Sequence, residues 1–160
     1  MSREIAIRDG LRDEDLAWLF RVGVETVIEA GSTLLREGYP TDSVFVVIRG
    51  EFSVRMANFE DGNLANLGAG ELIGEISFLE CSPASATIVA EQESVVLAVG
   101  RRELEERIID DVAFAARLYR AFALVAERRL RNRVDGLVFL FEFGGGWRSQ
   151  SGVSETLHPV

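Results

Sequence analysis

The sequence predicts an α+β protein in which a run of short β-strands is bracketed by an amphipathic helix on the N-terminal side and by helices on the C-terminal side. Three observations predict it. From Glu25 to Val99, short β-branched runs alternate with turn residues at Ala30-Gly31, Gly38, Pro40, Arg49-Gly50, Asp61-Gly62, Gly68, Gly70 and Pro83, the spacing of a sandwich, roll or barrel. Ahead of that region, apolar residues recur at helical spacing, and after it, from Arg101 to Arg133, the helical period returns. A chain of 160 residues, 48% of them hydrophobic, suits one domain with a sizeable core.

The first element covers Asp9 to Val24. Leu11, Leu16, Leu19 and Phe20 form its apolar stripe, and acidic residues gather at its positive end. It reads as an amphipathic lid helix, with Trp18 on the other face as a packing residue. In the strand region, Val44, Val46 and Ile48 alternate with Phe45, Val47 and Arg49. A strand apolar on both faces for most of its length belongs at the centre of a sheet. Asp61-Gly62 marks a hairpin.

Gly70 to Ala90, GELIGEISFLECSPASATIVA, is the stretch that carries chemistry. Gly74 lets the chain approach a ligand closely, and the amides of Glu75, Ile76, Ser77 and Phe78 would open a short helix and suit an anion. Glu75 can accept from a sugar hydroxyl, and the Ser85 hydroxyl can donate to a phosphate oxygen. The plainer reading of the same pattern is a capped corner of a β-fold.

Arg101 to Arg133 reads as a first helix, RRELEERI, and a second, long one opened by Asp110 and Asp111 and closed by arginines. The long helix carries two apolar stripes, Val112, Ala116, Tyr119, Ala123, Ala126 and Leu130, and Phe114, Leu118, Phe122 and Val125. One packs on the strands and the other calls for a partner. The terminal cluster of Arg128, Arg129, Arg131 and Arg133 is accounted for by the helix dipole. Beyond it come an apolar segment, Gly136 to Phe143, the triplet Gly144 to Gly146, and a polar end expected to be mobile.

Composition excludes several functions. The net charge is −9, and all 17 basic residues are arginine, so the chain as a whole repels nucleic acid. Cys81 is the only cysteine, which rules out an internal disulfide and reads as an inert small residue. No run looks like a signal peptide or a membrane span, pointing to a cytoplasmic protein. A metal-dependent barrel enzyme needs several histidines and a carboxylate, but His158 in the tail is the only histidine. With no nucleophile and base constellation either, the chain reads as a non-enzyme without metal or cofactor.

The stretch from Ala30 to Val54, AGSTLLREGYPTDSVFVVIRGEFSV, resembles the cyclic-nucleotide-binding domain family through Gly31, Leu34 and Gly38, then Asp42, Ser43, Phe45, Val47 and Gly50. Gly74 and Glu75 match the Gly-Glu of that family's phosphate-binding cassette, and Ser85 and Ala86 match its later positions. The resemblance covers about Val24 to Arg133. It implies an antiparallel β-roll, a double-stranded jelly roll like that of the catabolite activators, in residues 25–100. Helices over 101–134 would complete a domain of residues 1–134, with 135–160 as a tail.

The resemblance also implies a ligand, cAMP or cGMP, held by Gly74, Glu75, Ile76, Ser77, Ala84, Ser85 and Ala86. One position departs from the pattern: the arginine that normally follows the proline is Ala84. A buried phosphate without its cation costs on the order of 3–5 kcal/mol, about two to four decades of affinity. Arg117 and Arg120 on the long helix are candidate accessory cations, unless they sit in water or cross-link helices.

In the resembling family the long helix pairs two protomers, so a homodimer is implied, with a downstream protein partner of unknown identity. Residues 134–160 are too short for the winged helix-turn-helix of the family's transcription regulators, so no direct DNA binding is expected. The reading is a stand-alone regulatory domain that binds a nucleotide and signals through its C-terminal helices. The alternative is a degenerate roll that binds none and serves as a dimerisation or interaction module.

Overall fold

The computed structural model describes residues 6–58 and 64–131. A short 3-10 helix, Ala6–Gly10, leads into α1, Asp13–Val22. Eight strands follow: β1 Val24–Ile28, β2 Thr33–Leu35, β3 Ser43–Arg49, β4 Glu51–Arg55, β5 Ala65–Gly68, β6 Leu72–Ile73, β7 Thr87–Ala90 and β8 Ser94–Gly100. Helix α2, Glu75–Glu80, lies between β6 and β7, and α3, Arg101–Asp110, and α4, Val112–Arg131, follow β8. The strands form two antiparallel four-stranded sheets, ordered β1-β8-β3-β6 and β2-β7-β4-β5, so the fold is the expected antiparallel β-roll with helices before the first strand and after the last.

The two-faced apolar pattern of β3 has a simple cause. Its sheet separates two cores: Val44 and Val46 join Leu97 and Val99 of β8 beneath the helices, whereas Val47 and Val96 face Phe52, Val54, Leu67 and Ile88 of the second sheet. Both β3 and β8 are therefore buried on both faces, and β3 is central, between β8 and β6. β4 pairs antiparallel with β5, Phe52 opposite Leu67. The hairpin position Asp61-Gly62 itself lies outside the described residues, as does the apolar segment Gly136 to Phe143.

The N-terminal stripe is corrected in one position. Leu11 and Leu19 are buried and Leu16 is partly so, but Phe20 is 43% exposed. Trp18 points inward instead, its ring edge-to-face with Phe114 at 5.3 Å. Arg107 stacks over both rings, 4.7 Å from each centroid. Aromatic area plus a cation on its face outweighs the burial of a single phenyl ring here.

α4 lies on the roll through Phe114, Leu118, Phe122 and Val125, all buried, while Val112, Ala116, Tyr119, Ala123 and Ala126 remain exposed. Asp111 breaks α3 from α4 and caps the latter, accepting the Phe114 amide at 3.0 Å. Gly10 meets α4 so closely that a Cβ there would stand 2.5 Å from the Ala121 Cα. Among the described residues no helix is long and apolar enough to cross a membrane.

Asp15, 1% exposed, ties α1 to α4. It accepts the Arg12 amide at 3.0 Å and a two-pronged contact from Arg117, Nε at 2.7 Å and Nη2 at 2.9 Å. Hydrogen bonding to Arg117, reinforced by the Arg12 amide, holds the Asp15 carboxyl below its ordinary pKa despite its burial. A depressed folded pKa adds stability that is complete above the unfolded value near 4 and drains away as pH falls through the folded value. Asp15→Asn should therefore lower the unfolding free energy by about 2–4 kcal/mol at pH 7. The gap to wild type should narrow below about pH 4 in urea melts run across pH; parallel curves would contradict this.

Candidate functional site

β6 is only two residues long, and its ends belong to different cores: Leu72 packs under the helices and Ile73 between the sheets. The next residue, Gly74, has φ 89, and a Cβ on it would stand 3.1 Å from the Ser43 carbonyl oxygen. Glycine is required by both the angle and the approach. The chain then turns into α2, which closes at Cys81 in the left-handed region with φ 51. The amides of Cys81 and Ser82 both reach the Ser77 carbonyl, the latter at 3.1 Å. The Ser77 hydroxyl donates to the Pro83 carbonyl at 3.3 Å, so it fastens the loop to itself.

The result is a hollow of about 340 Å³ with its mouth included, lined by Leu35, Leu67, Ile73, Gly74, Glu75, Ile76, Ser77, Ser85, Ala86 and Ile88. Most of that volume is open to solvent: the enclosed space is only about 20 Å³, room for about one water, with aliphatic walls and few polar groups. Of the expected residues, Gly74, Glu75, Ile76, Ser77, Ser85 and Ala86 come together here. Ala84 does not reach the wall: it is buried, its amide bonded to the Tyr39 carbonyl and its carbonyl to the Gly38 amide, each at 2.9 Å. Of the expected residues Ala84 is thus the one set apart from the hollow, its backbone fixed toward the β2–β3 loop by those two bonds.

Neither candidate accessory cation is among the residues lining the hollow, and both take the other arm of the expectation, a cross-link between helices or exposure to water. Arg117 is bound to Asp15 at the far end of α4, and Arg120 is exposed. The cation at the site is Arg129, only 9% exposed. Its Nη1 pairs with the Glu75 carboxylate and its Nη2 donates to the Leu72 carbonyl. The helix dipole accounts for the terminal arginines as a cluster, but two other described members also have acidic partners. Arg128 pairs with Asp9 and Arg131 with Glu127; Arg133 lies outside the described residues.

Fifty-four residues separate Arg129 from Glu75, so no local motif announces the pair. The signal was periodicity: Arg129 falls four residues beyond Val125, in line with Phe114, Leu118 and Phe122. A charge on a buried stripe calls for a buried partner. Phe122 continues the contact, its ring edge-to-face with Phe78 of α2 at 6.1 Å.

The family model described as "Cyclic nucleotide-binding domain" matches residues 25–111, and the chain belongs to that family. A cAMP-dependent protein kinase regulatory subunit of Blastocladiella emersonii is 30% identical over 100 residues, 61% of this chain and 25% of that protein. A CRP-like cAMP-activated global transcriptional regulator of Mycobacterium tuberculosis is 28% identical over 113 residues, 68% of this chain and 49% of that protein. The chain thus spans about a quarter of the one and half of the other. The solved N-terminal domain of a transcriptional regulator from Streptomyces coelicolor is 32% identical with TM-score 0.65, covering 81% of this chain and 92% of that one. These relatives are regulatory proteins.

Removing one partner of a buried ion pair strands the other. Arg129→Gln and Glu75→Gln should each destabilise the protein by about 3–5 kcal/mol in chemical denaturation, and the double variant should recover at least about 2 kcal/mol of the summed loss. Strict additivity would mean that the two groups do not interact.

Proposed function

We propose that the chain is a regulatory domain that binds a cyclic nucleotide in the hollow at the start of α2 and transmits that event through α3 and α4 to a partner protein. One observation carries the proposal: Glu75, the acid placed for a sugar hydroxyl, is held by Arg129 of the last described helix. Ligand site and output helix share a single ion pair. A ribose hydroxyl donating to Glu75 and a cyclic phosphate drawing on part of the Arg129 fork would be bound by both elements together. Arg129 is then the cation that the cassette loop, with Ala84 after its proline, does not carry. Ligand shifts α4 only insofar as it prefers one position of Arg129 over another.

Family membership and the cAMP-linked relatives support cAMP or cGMP as the ligand class. The exposed stripe of α4, with Tyr119 at 45% and Val112 at 77%, supports a homodimer through this helix. Phe114, Leu118 and Phe122 are buried against the roll, so none of them forms that seam. The second reading, a roll without ligand that serves as an interaction module, is favoured by the same ion pair, because Glu75 already has a protein partner.

Titration calorimetry with cAMP and cGMP decides between them. The first reading expects micromolar binding of one of the two, lost on Glu75→Ala and weakened at least about tenfold by Arg129→Gln. Absence of heat with both nucleotides supports the interaction module. In sedimentation, Tyr119→Asp should convert a dimer to monomer with little change in thermal stability; a dimer unaffected by this change places the seam elsewhere.

A further inference from the structure

We infer that Arg101, the first residue of α3, is the positioning residue that fixes the far end of α2, so that the cassette turns about that end and carries α3 with it. The inference rests on the reading of the hollow as the ligand site. The last carbonyls of a six-residue helix run short of partners inside it; the Ser77 carbonyl already accepts the Cys81 and Ser82 amides, and Arg101 adds a side-chain donor to it and to the Phe78 carbonyl. Its Nη2 donates to the Ser77 carbonyl at 2.9 Å and its Nη1 to the Phe78 carbonyl at 3.4 Å, with the guanidinium 5.0 Å from the Phe78 ring centroid. A cation at the negative end of a helix is favourable in its own right.

Arg101 is anchored in turn. Its amide donates to the Asp42 carbonyl at 2.7 Å, and Nη1 lies 3.2 Å from Glu105 and 3.9 Å from the Cys81 sulfur. With its side chain only 23% exposed, it is not an ordinary solvated arginine.

α2 is therefore gripped at both ends by arginines from different elements, and the two grips differ in kind. Arg129 holds a carboxylate that lines the hollow, where a ligand competes for it. Arg101 holds the backbone carbonyls of Ser77 and Phe78 and is not itself among the residues that line the hollow. Loosening the first grip leaves the second as a pivot. Rotation about it displaces the first turn of α3, whose other end is bound to α4 by Arg107 on Phe114.

Hydrogen exchange on four ligand-free proteins tests this: wild type, Arg129→Gln, Arg101→Gln and the double variant. Arg129→Gln frees the hollow end without any ligand. It should speed exchange at least about tenfold both in residues 75–80 and in the first turn of α3, whereas in the Arg101→Gln background residues 75–80 should still respond and the α3 turn should change by less than about threefold.

An α3 response of equal size with and without Arg101 would overturn the inference, whatever Arg101→Gln does to the melting temperature. Should Arg101→Gln fail to fold, Arg101→Lys keeps the charge, loses the fork and carries the same comparison with the same two outcomes. Failure of wild type to bind cAMP or cGMP would sink the ligand reading separately, since the exchange comparison contains no ligand.

Discussion

The buried pair of Glu75 and Arg129 is the constraint on which the placement of everything else depends. Two charges removed from water cost several kcal/mol each, and the cost is offset only when geometry is good and the remaining donors are satisfied. Arg129 meets that condition by holding the Leu72 carbonyl as well as the carboxylate. α4 therefore cannot lift its end from the roll without leaving a charge stranded. Its apolar stripe sets the line along which it lies, and the ion pair sets where along that line it stops.

The site sits where it does because two cores end there. Leu72 belongs to the core under the helices and Ile73 to the core between the sheets, so the chain after them has no third apolar layer to enter. Gly74 turns it out, and the polar start of α2 is left beside a hollow walled by the last aliphatic side chains of the inner core. The Asp15 to Arg117 contact and the Arg107 stack hold α1, α3 and α4 together at the opposite end. The strands β3 and β8 beneath those helices are packed on both faces.

Most of the fold was legible because it is written in local periodicity. The two-faced pattern of β3 placed it centrally, and the β-branched runs between turn residues marked the strands. The cassette was read from its resemblance to the family's motif rather than from periodicity, and Gly74 through Ser77, Ser85 and Ala86 line one hollow. What escaped were pairings set by tertiary packing. Trp18 and Phe20 are two residues apart, and which one turns inward depends on Phe114 and Arg107, far along the chain. Arg117 and Arg129 lie on one helix, yet they meet acids 102 and 54 residues away. Nothing local to either arginine says which one pairs with the acid that lines the hollow.

The central claim is that one ion pair is shared between a ligand site and the helix that reports on it. Hydrogen exchange of the wild-type protein with and without saturating cAMP tests it most directly. The account predicts altered exchange in two places at once, the turn at residues 74–78 and the end of α4 at residues 125–131, with α1 unchanged. Identical exchange at both places, or a change confined to the turn, would contradict it.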